Sequence, residues 1–335
     1  MNRLRLALVN SAIAIVVATG VIVGAAALWF RAAVYEDRSL PAAPATFVVP
    51  DGATFGDVAG ALEGAGILAH PVAFRILARL RGDETSIQTG QFRFPAHQTS
   101  DEILERLVSG ATTATWVTFP EGFTAREIGR RLAARHLGDA ATFDRYAART
   151  SLVIDGTRTR SLEGFLFPST YLIPAGAAPA RIAGILTDQF FRELPENAQA
   201  KARALGLTVP QVIAVASLIE REAQADDERA LMAGVYYNRL RAGMPLQVDA
   251  SIEYIFPEHH DVITGRDLAI DSPYNTYLHA GLPPTPIANP GKASIDAAFA
   301  PTPSHYLYYV YKGNGHHAFA RTLAEHNANV ARYLH

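Results

Sequence analysis

Val209-Pro-Gln-Val-Ile-Ala-Val-Ala-Ser-Leu-Ile-Glu-Arg-Glu-Ala-Gln224 decides how this chain is read, because it carries a carboxylate to the end of a segment that is otherwise almost wholly apolar. The pattern predicts a helix. Thr208 can cap it, Pro210 fits a first turn where its missing N–H costs nothing, and Val212, Ile213, Val215, Ala216, Leu218 and Ile219 leave no polar face for two turns. Such a helix is buried. Glu220 then stands one turn beyond Ala216 and Ser217, at the border between dry helix and the polar run 221–228. Burial disfavours the charged form of a carboxyl, so Glu220 is expected to keep its proton more readily than a free glutamate, as a general acid must. The plain alternative makes it the first residue of a solvated end, paired with Arg221 or Arg229. Glu222 lies about 200° further round the helix and is expected in a salt bridge.

Downstream, Asp226 to Leu240 reads as a helix with acidic residues at its positive end and Gly243 placed to stop it. Met244 to Asp249 alternates, which puts Gln247 and Asp249 on one face. Ser272-Pro-Tyr-Asn-Thr-Tyr277 and the proline-rich run 281–291 form a long loop region, and long ordered loops usually serve function. Tyr306–Tyr311, the turn Gly313-Asn-Gly315 and His316–Ala320 read as a hairpin, and Thr322 with Glu325 caps a last helix.

Upstream, a unit recurs. Val49-Pro-Asp-Gly52, Thr54, Val58 and Leu62 return seventy residues later as Phe119-Pro-Glu-Gly122, Thr124, Ile128 and Leu132, and Pro95, Thr99, Ile103 and Leu107 keep part of the pattern. A strand ends in a Pro-x-Gly turn, a threonine caps the next helix, and apolar residues four apart line its inner face. Glu102 and Glu127 complete capping boxes in the second and third copies. With a helix over Ala73–Leu80 and a strand over Gln91–Phe94, residues 46–114 read as strand, helix, helix, strand, helix. The third copy opens a second domain over 115–335, with helices at Arg126–Leu137, Thr142–Arg149 and Pro179–Leu194, and an aromatic turn at Ser161–Tyr171 that sets Glu163 beside Gly164.

At 335 residues and 49% hydrophobic content the chain can bury a core in each of two domains. A net charge of −2, from 30 basic and 32 acidic residues spread along the chain, gives no case for nucleic acid. There are no cysteines, so thiol nucleophiles, disulfides and cysteine metal sites are excluded. Arg3 and Arg5 precede an uncharged stretch from Leu6 to Phe30, long enough at about 1.5 Å per residue to cross a hydrocarbon core of about 30 Å. The expected order is a cytoplasmic end over 1–9, a transmembrane helix over 10–30, a linker over 31–45, and two exported domains with an N-inside orientation. The rival for this segment is a cleavable signal, with Gly24-Ala-Ala-Ala27 as its cleavage site.

Ala216–Ala223, Val235-Tyr-Tyr-Asn-Arg-Leu240, Leu246-Gln-Val-Asp249, Ser272–Tyr277, Gly281-Leu-Pro-Pro284, Pro290-Gly291 and Ser161–Pro168 together resemble the YceG-like, MltG-type endolytic murein transglycosylase family. The likeness runs through His326-Asn327 and covers most of residues 46–335. It implies an α+β protein anchored in the inner membrane by one helix, with a catalytic domain in the periplasm that cuts nascent peptidoglycan strands and leaves 1,6-anhydro ends. It also implies peptidoglycan synthases as partners and places the catalytic glutamate at Glu220. The first half of 46–114 resembles a LysM module, which binds N-acetylated glycans. Ser169 departs from the family's usual acidic residue, without bearing on catalysis.

The residues themselves agree with this chemistry, which needs no cofactor and no metal. One carboxyl protonates the glycosidic oxygen and then takes the proton of the sugar's own C6 hydroxyl, so no water attacks. Gln247, Asn275 and Tyr277 are expected to orient the sugar, with Glu163, Ser217, Asp249 and Tyr274 also touching glycan. Three rivals stand beside this reading. A hydrolytic muramidase would use Asp249 or Glu163 as a second carboxylate, a scaffold would bind glycan without cutting it, and a metal site would draw on His259-His260 and His316-His317. Adjacent strand histidines point to opposite faces, which argues against the last.

Overall fold

The computed structural model describes residues 2–50, 52–110, 114–258 and 262–334, with side chains from residue 13 onward. The chain forms two compact units, one of residues 1–115 with 174–178 and one of 116–173 with 179–335.

The first unit opens with α1 (Asn2–Arg31), whose window from Ile13 onward is apolar and exposed enough to cross a membrane. A π-helical turn, Ala32–Glu36, continues it without a break. Then come β1 (Ala45–Val49), α2 (Phe55–Gly64), α3 (Pro71–Arg81), β2 (Gly90–Phe94) and α4 (Ser100–Ser109). The order strand, helix, helix, strand, helix is the one expected. β1 and β2 pair antiparallel, Phe47 opposite Phe92, and their inner residues pack with Val58, Leu62, Phe74, Leu77 and Leu107. Part of the stretch expected as a linker reaches into this core: Ala33 and Val34 are buried, and the Ser100 hydroxyl donates to the Ala33 carbonyl at 3.2 Å. Two small apolar side chains at the end of a helix found a niche that a polar linker could not fill.

The second unit runs through β3 (Ala114–Thr118), α5 (Ala125–Ala134), α6 (Ala140–Arg149), β4 (Val153–Ile154), β5 (Thr157–Arg158) and β6 (Thr170–Pro174). α7 (Pro179–Glu193), α8 (Ala198–Ala204), α9 (Val209–Glu222), α10 (Arg229–Arg241), α11 (Asp249–Glu253) and α12 (Lys292–Phe299) follow, and β7 (Tyr308–Gly313), β8 (His316–Ala320) and α13 (Leu323–Tyr333) close the chain. α9 is its axis. Every residue from Val212 to Ile219 is buried, packed by Met232 and Tyr236 of α10 and by Ile295 and Ala298 of α12. Sheets are small, each of two strands: β3 pairs with β6, β4 with β5, and β7 with β8.

Local signals survive folding well. All three repeat copies carry a full capping box, Thr54 with Asp57, Thr99 with Glu102 and Thr124 with Glu127, and Gly52 and Gly122 share a φ of +77°. The turn of the β7–β8 hairpin has Asn314 and Gly315 both left-handed, as a tight hairpin demands. The alternating run 244–249 does bury Leu246 and Val248 and expose Gln247 and Asp249, but it is no strand. Gln247 is left-handed at φ +53°, and Asp249 already opens α11.

Candidate active site

The end of α9 presents its two glutamates to different surroundings. Glu220 accepts from the Gly291 N–H at 3.0 Å and faces the Arg229 guanidinium at 3.7 Å, with a side chain only 7% exposed. Arg229 is itself held by Asp226 at 3.0 Å and donates to the Ser294 hydroxyl at 2.5 Å. The Glu121 carboxyl leans closely on Gly291, at a point where a Cβ would have to displace it. Burial, and then the charge of Glu220, push the Glu121 carboxyl above the usual range. Glu220 thus sits in a packed polar clasp, without the sugar-orienting residues expected around it.

Those residues gather around Glu222. A cavity of about 350 Å³ is lined by Glu222, Gln247, Asp249, Tyr277, Tyr309 and His326, among others. Glu222, expected in a salt bridge, is met instead by the Tyr309 hydroxyl, which donates to it at 3.2 Å, and by the Ala250 N–H. Burial first, and the neighbouring Asp249 charge second, push its carboxyl up to about 6. Asp249 accepts a 2.5 Å bond from the Tyr277 hydroxyl. Two carboxyls thus share a cleft, Glu222 desolvated and Asp249 exposed and bonded by the Tyr277 hydroxyl.

Behind them runs a buried scaffold that the sequence reading missed. The Tyr236 and Tyr309 hydroxyls lie 2.9 Å apart, and since Tyr309 donates to Glu222, Tyr236 donates to Tyr309. Arg239, 7% exposed, donates to the carbonyls of Leu307 and Leu246, both at 2.6 Å, and of Pro245 at 3.2 Å, tying the hairpin to the segment that carries Gln247. His317 edges onto the Tyr309 ring, while its N–H and Nδ1 bind Glu228. Burial would raise Glu228, but those two His317 contacts outweigh it and hold the carboxyl below the usual range. His316 reaches the same carboxylate at 3.3 Å, so one acid collects both histidines despite their opposite faces. The other pair, His259-His260, lies outside the described residues. The available signal was Val235-Tyr-Tyr-Asn-Arg-Leu240 itself, where a tyrosine and an arginine interrupt an apolar helix face.

The remaining expected site residues lie elsewhere. Ser217 is fully buried; its hydroxyl donates to the Ala214 carbonyl at 2.7 Å and accepts from the Ile287 N–H at 3.0 Å, so it is spent inside the protein. Asn275, also fully buried, donates to the Leu268 and Ile270 carbonyls and accepts from the Tyr277 N–H, folding the loop that presents Tyr277. Tyr274 pairs its hydroxyl with Thr285 at 2.9 Å and its ring with Tyr254. Glu163 caps α5 through the Ala125 N–H at 3.0 Å and accepts from Asn289 Nδ2 at 3.0 Å and the Tyr254 hydroxyl at 3.2 Å; burial pushes it up to about 8. It faces a separate cavity of about 290 Å³ beside Arg126 and Arg221.

The sequence profile of the YceG-like family matches residues 47–332. This chain belongs to the YceG-like family. Among YceG-like relatives, the endolytic murein transglycosylase of Bacillus subtilis (strain 168) is 31% identical over 304 residues, 85% of this chain and 84% of that one. The endolytic murein transglycosylase of Streptococcus pneumoniae serotype 2 (strain D39) is 28% identical over 86% of this chain, which spans only 58% of its length. The crystal structure of a yceG-like protein from Listeria monocytogenes aligns with a TM-score of 0.57 at 27% identity, covering 85% of this chain and 98% of that one.

Proposed function

We propose that this protein is an endolytic murein transglycosylase, anchored by α1 with its N-terminus inside, in which Glu222 carries the proton. The observation that supports Glu222 is its raised carboxyl in a cleft that also holds Gln247, Asp249 and Tyr277. The family resemblance points to Glu220, two residues earlier, which the Gly291 N–H and the Arg229 guanidinium hold in place.

The chemistry balances without water or cofactor. Protonated Glu222 gives its proton to the glycosidic oxygen as the C1–O bond breaks, and Asp249, held in place by the Tyr277 hydroxyl, faces the oxocarbenium-like charge at C1. Glu222, now a carboxylate, takes the proton of the C6 hydroxyl while O6 bonds to C1, closing a 1,6-anhydro ring. Cutting of this kind within nascent strands, outside the cytoplasmic membrane, would end their elongation by peptidoglycan synthases, and the first unit serves as a LysM-like module holding glycan.

Asp249 also favours a second reading, hydrolysis with Asp249 as base for a water. Mass spectrometry of released muropeptides separates the two, because anhydro ends are lighter by one water than reducing ends. Glu222→Gln is expected to lower turnover by about 10³-fold, with Glu220→Gln falling far less in protein of normal fold. The reverse pattern returns the role to Glu220, and full activity in both variants removes the catalytic reading.

A further inference from the structure

The apolar residues of α3 are split between two faces. Ala73, Phe74, Leu77 and Ala78 fill the first unit's core, whereas Val72, Ile76 and Leu80 are 60%, 42% and 73% exposed. The exposed three are spaced by four, so they form one stripe along the helix, and Arg75 and Arg79 form the next row beside it. A helix face turned to water is ordinarily polar. An apolar stripe edged by arginines is instead the pattern of a helix lying in a lipid interface, with the cations reaching up to phosphates.

The same helix is pinned where the apolar span ends. The Trp29 ring meets His70, the residue before α3, edge to face at 6.4 Å, and His70 Nε2 lies 2.7 Å from the Asp37 carboxylate. Phe30 packs on the core, and Ala33 and Val34 are inside it. The core therefore begins about one helical turn, roughly 5 Å, beyond the last apolar residue of the span. A body mounted so close cannot stand clear of the headgroups, and a half-exposed tryptophan is the residue type found at that level. Both arginines can be recruited: among the described residues Arg75 holds only a long 3.4 Å bond to the Gly56 carbonyl, and Arg79 pairs with Glu84 at 3.4 Å while largely exposed.

We propose that the outer face of α3 is a second membrane contact, with Val72, Ile76 and Leu80 seated at the headgroup boundary of an anionic leaflet and Arg75 and Arg79 on its phosphates. This rests on the reading of α1 as a membrane anchor. The absence of cysteine from the sequence makes the test clean. The full chain is placed in vesicles of phosphatidylcholine with phosphatidylglycerol, brominated on their acyl chains near the headgroup, after labelling Val16→Cys, Ile76→Cys or Leu80→Cys with a fluorophore. Quenching is expected at all three positions. At positions 76 and 80 it should fall at least twofold when Arg75 and Arg79 are both changed to Glu or when phosphatidylglycerol is left out. Quenching at 16 without quenching at 76 and 80 overturns the contact and spares the anchor, whereas none at 16 overturns the anchor itself. Labels at 76 and 80 shielded from aqueous iodide yet untouched by bromine would show a protein on this face and overturn lipid as its occupant. Quenching unchanged by either charge alteration overturns the role of the arginines.

Discussion

Glu220 and Glu222 differ by two positions and by almost everything else. One hangs between a glycine N–H and an arginine; the other looks into a cleft with a second carboxylate. The forces on Glu222 oppose each other, and their signs can be tested singly. Its Tyr309 bond favours the ionised form, so Tyr309→Phe should raise the carboxyl above about 6 and move the alkaline limb of the pH–rate profile to higher pH, by up to about one unit. Asp249 raises Glu222 by its charge, so Asp249→Asn should move the same limb downward, along with any loss in rate. Profiles of muropeptide release against pH read both, and equal losses at every pH would contradict both assignments. That a half-buried glutamate ends α9 was legible in the sequence, because an apolar helix running into a polar stretch fixes such a border. Which of two glutamates faces the cleft was not, since spacing sets the angle between them and only the fold decides where Tyr277 and Tyr309 arrive.

Capped helices were read well, whereas α8, α12 and the irregular chain were not. Caps and apolar rows are local, and the repeated Thr-x-x-acid boxes carry over from sequence to structure. The run 244–249 has the alternation of a strand but no partner strand beside it, and Gln247 turns left-handed where its N–H meets the Thr276 carbonyl. The long loops were expected to touch sugar, yet Asn275 and Asn289 hold protein together. Asn289 accepts from the Gly164 and Leu166 N–H groups, each at 2.9 Å, and donates to Phe123 and Glu163. Asn289→Ala would strand two buried N–H groups at about 1–3 kcal/mol each, so urea unfolding should show a loss of roughly 3 kcal/mol or more. Ser217→Ala leaves only the Ile287 N–H without its partner, and about 1–2 kcal/mol is expected by the same measurement. A Ser217→Ala variant of full stability and reduced activity would instead put that hydroxyl on the substrate.

At the scale of the whole molecule, Glu163 gives stability a pH dependence. Its carboxyl is near 4.5 when free and about 8 in the fold, so the folded state binds the proton more tightly than the unfolded chain. The stabilisation is complete below about 4.5 and is lost as pH rises toward 8, on the order of a few kcal/mol. Glu163→Gln keeps an oxygen for Ala125 and Asn289 but cannot ionise. Thermal unfolding from pH 5 to 8 should fall less steeply in the variant, and parallel curves would show that Glu163 is already ionised at pH 5. The mixed α and β architecture was legible because capped helices, apolar rows and alternating strands are all written locally. The burial of Ala33 and Val34 was not, since they look like any short spacer until the niche that takes them exists. A practical consequence follows for anyone seeking a soluble fragment: trimming to residue 46 would tear two side chains out of the first unit's interior and discard the Arg38 to Glu102 ion pair at 2.9 Å. The cut belongs before Trp29, because the described side chains from Ile13 to Leu28 are exposed and Trp29 already meets His70.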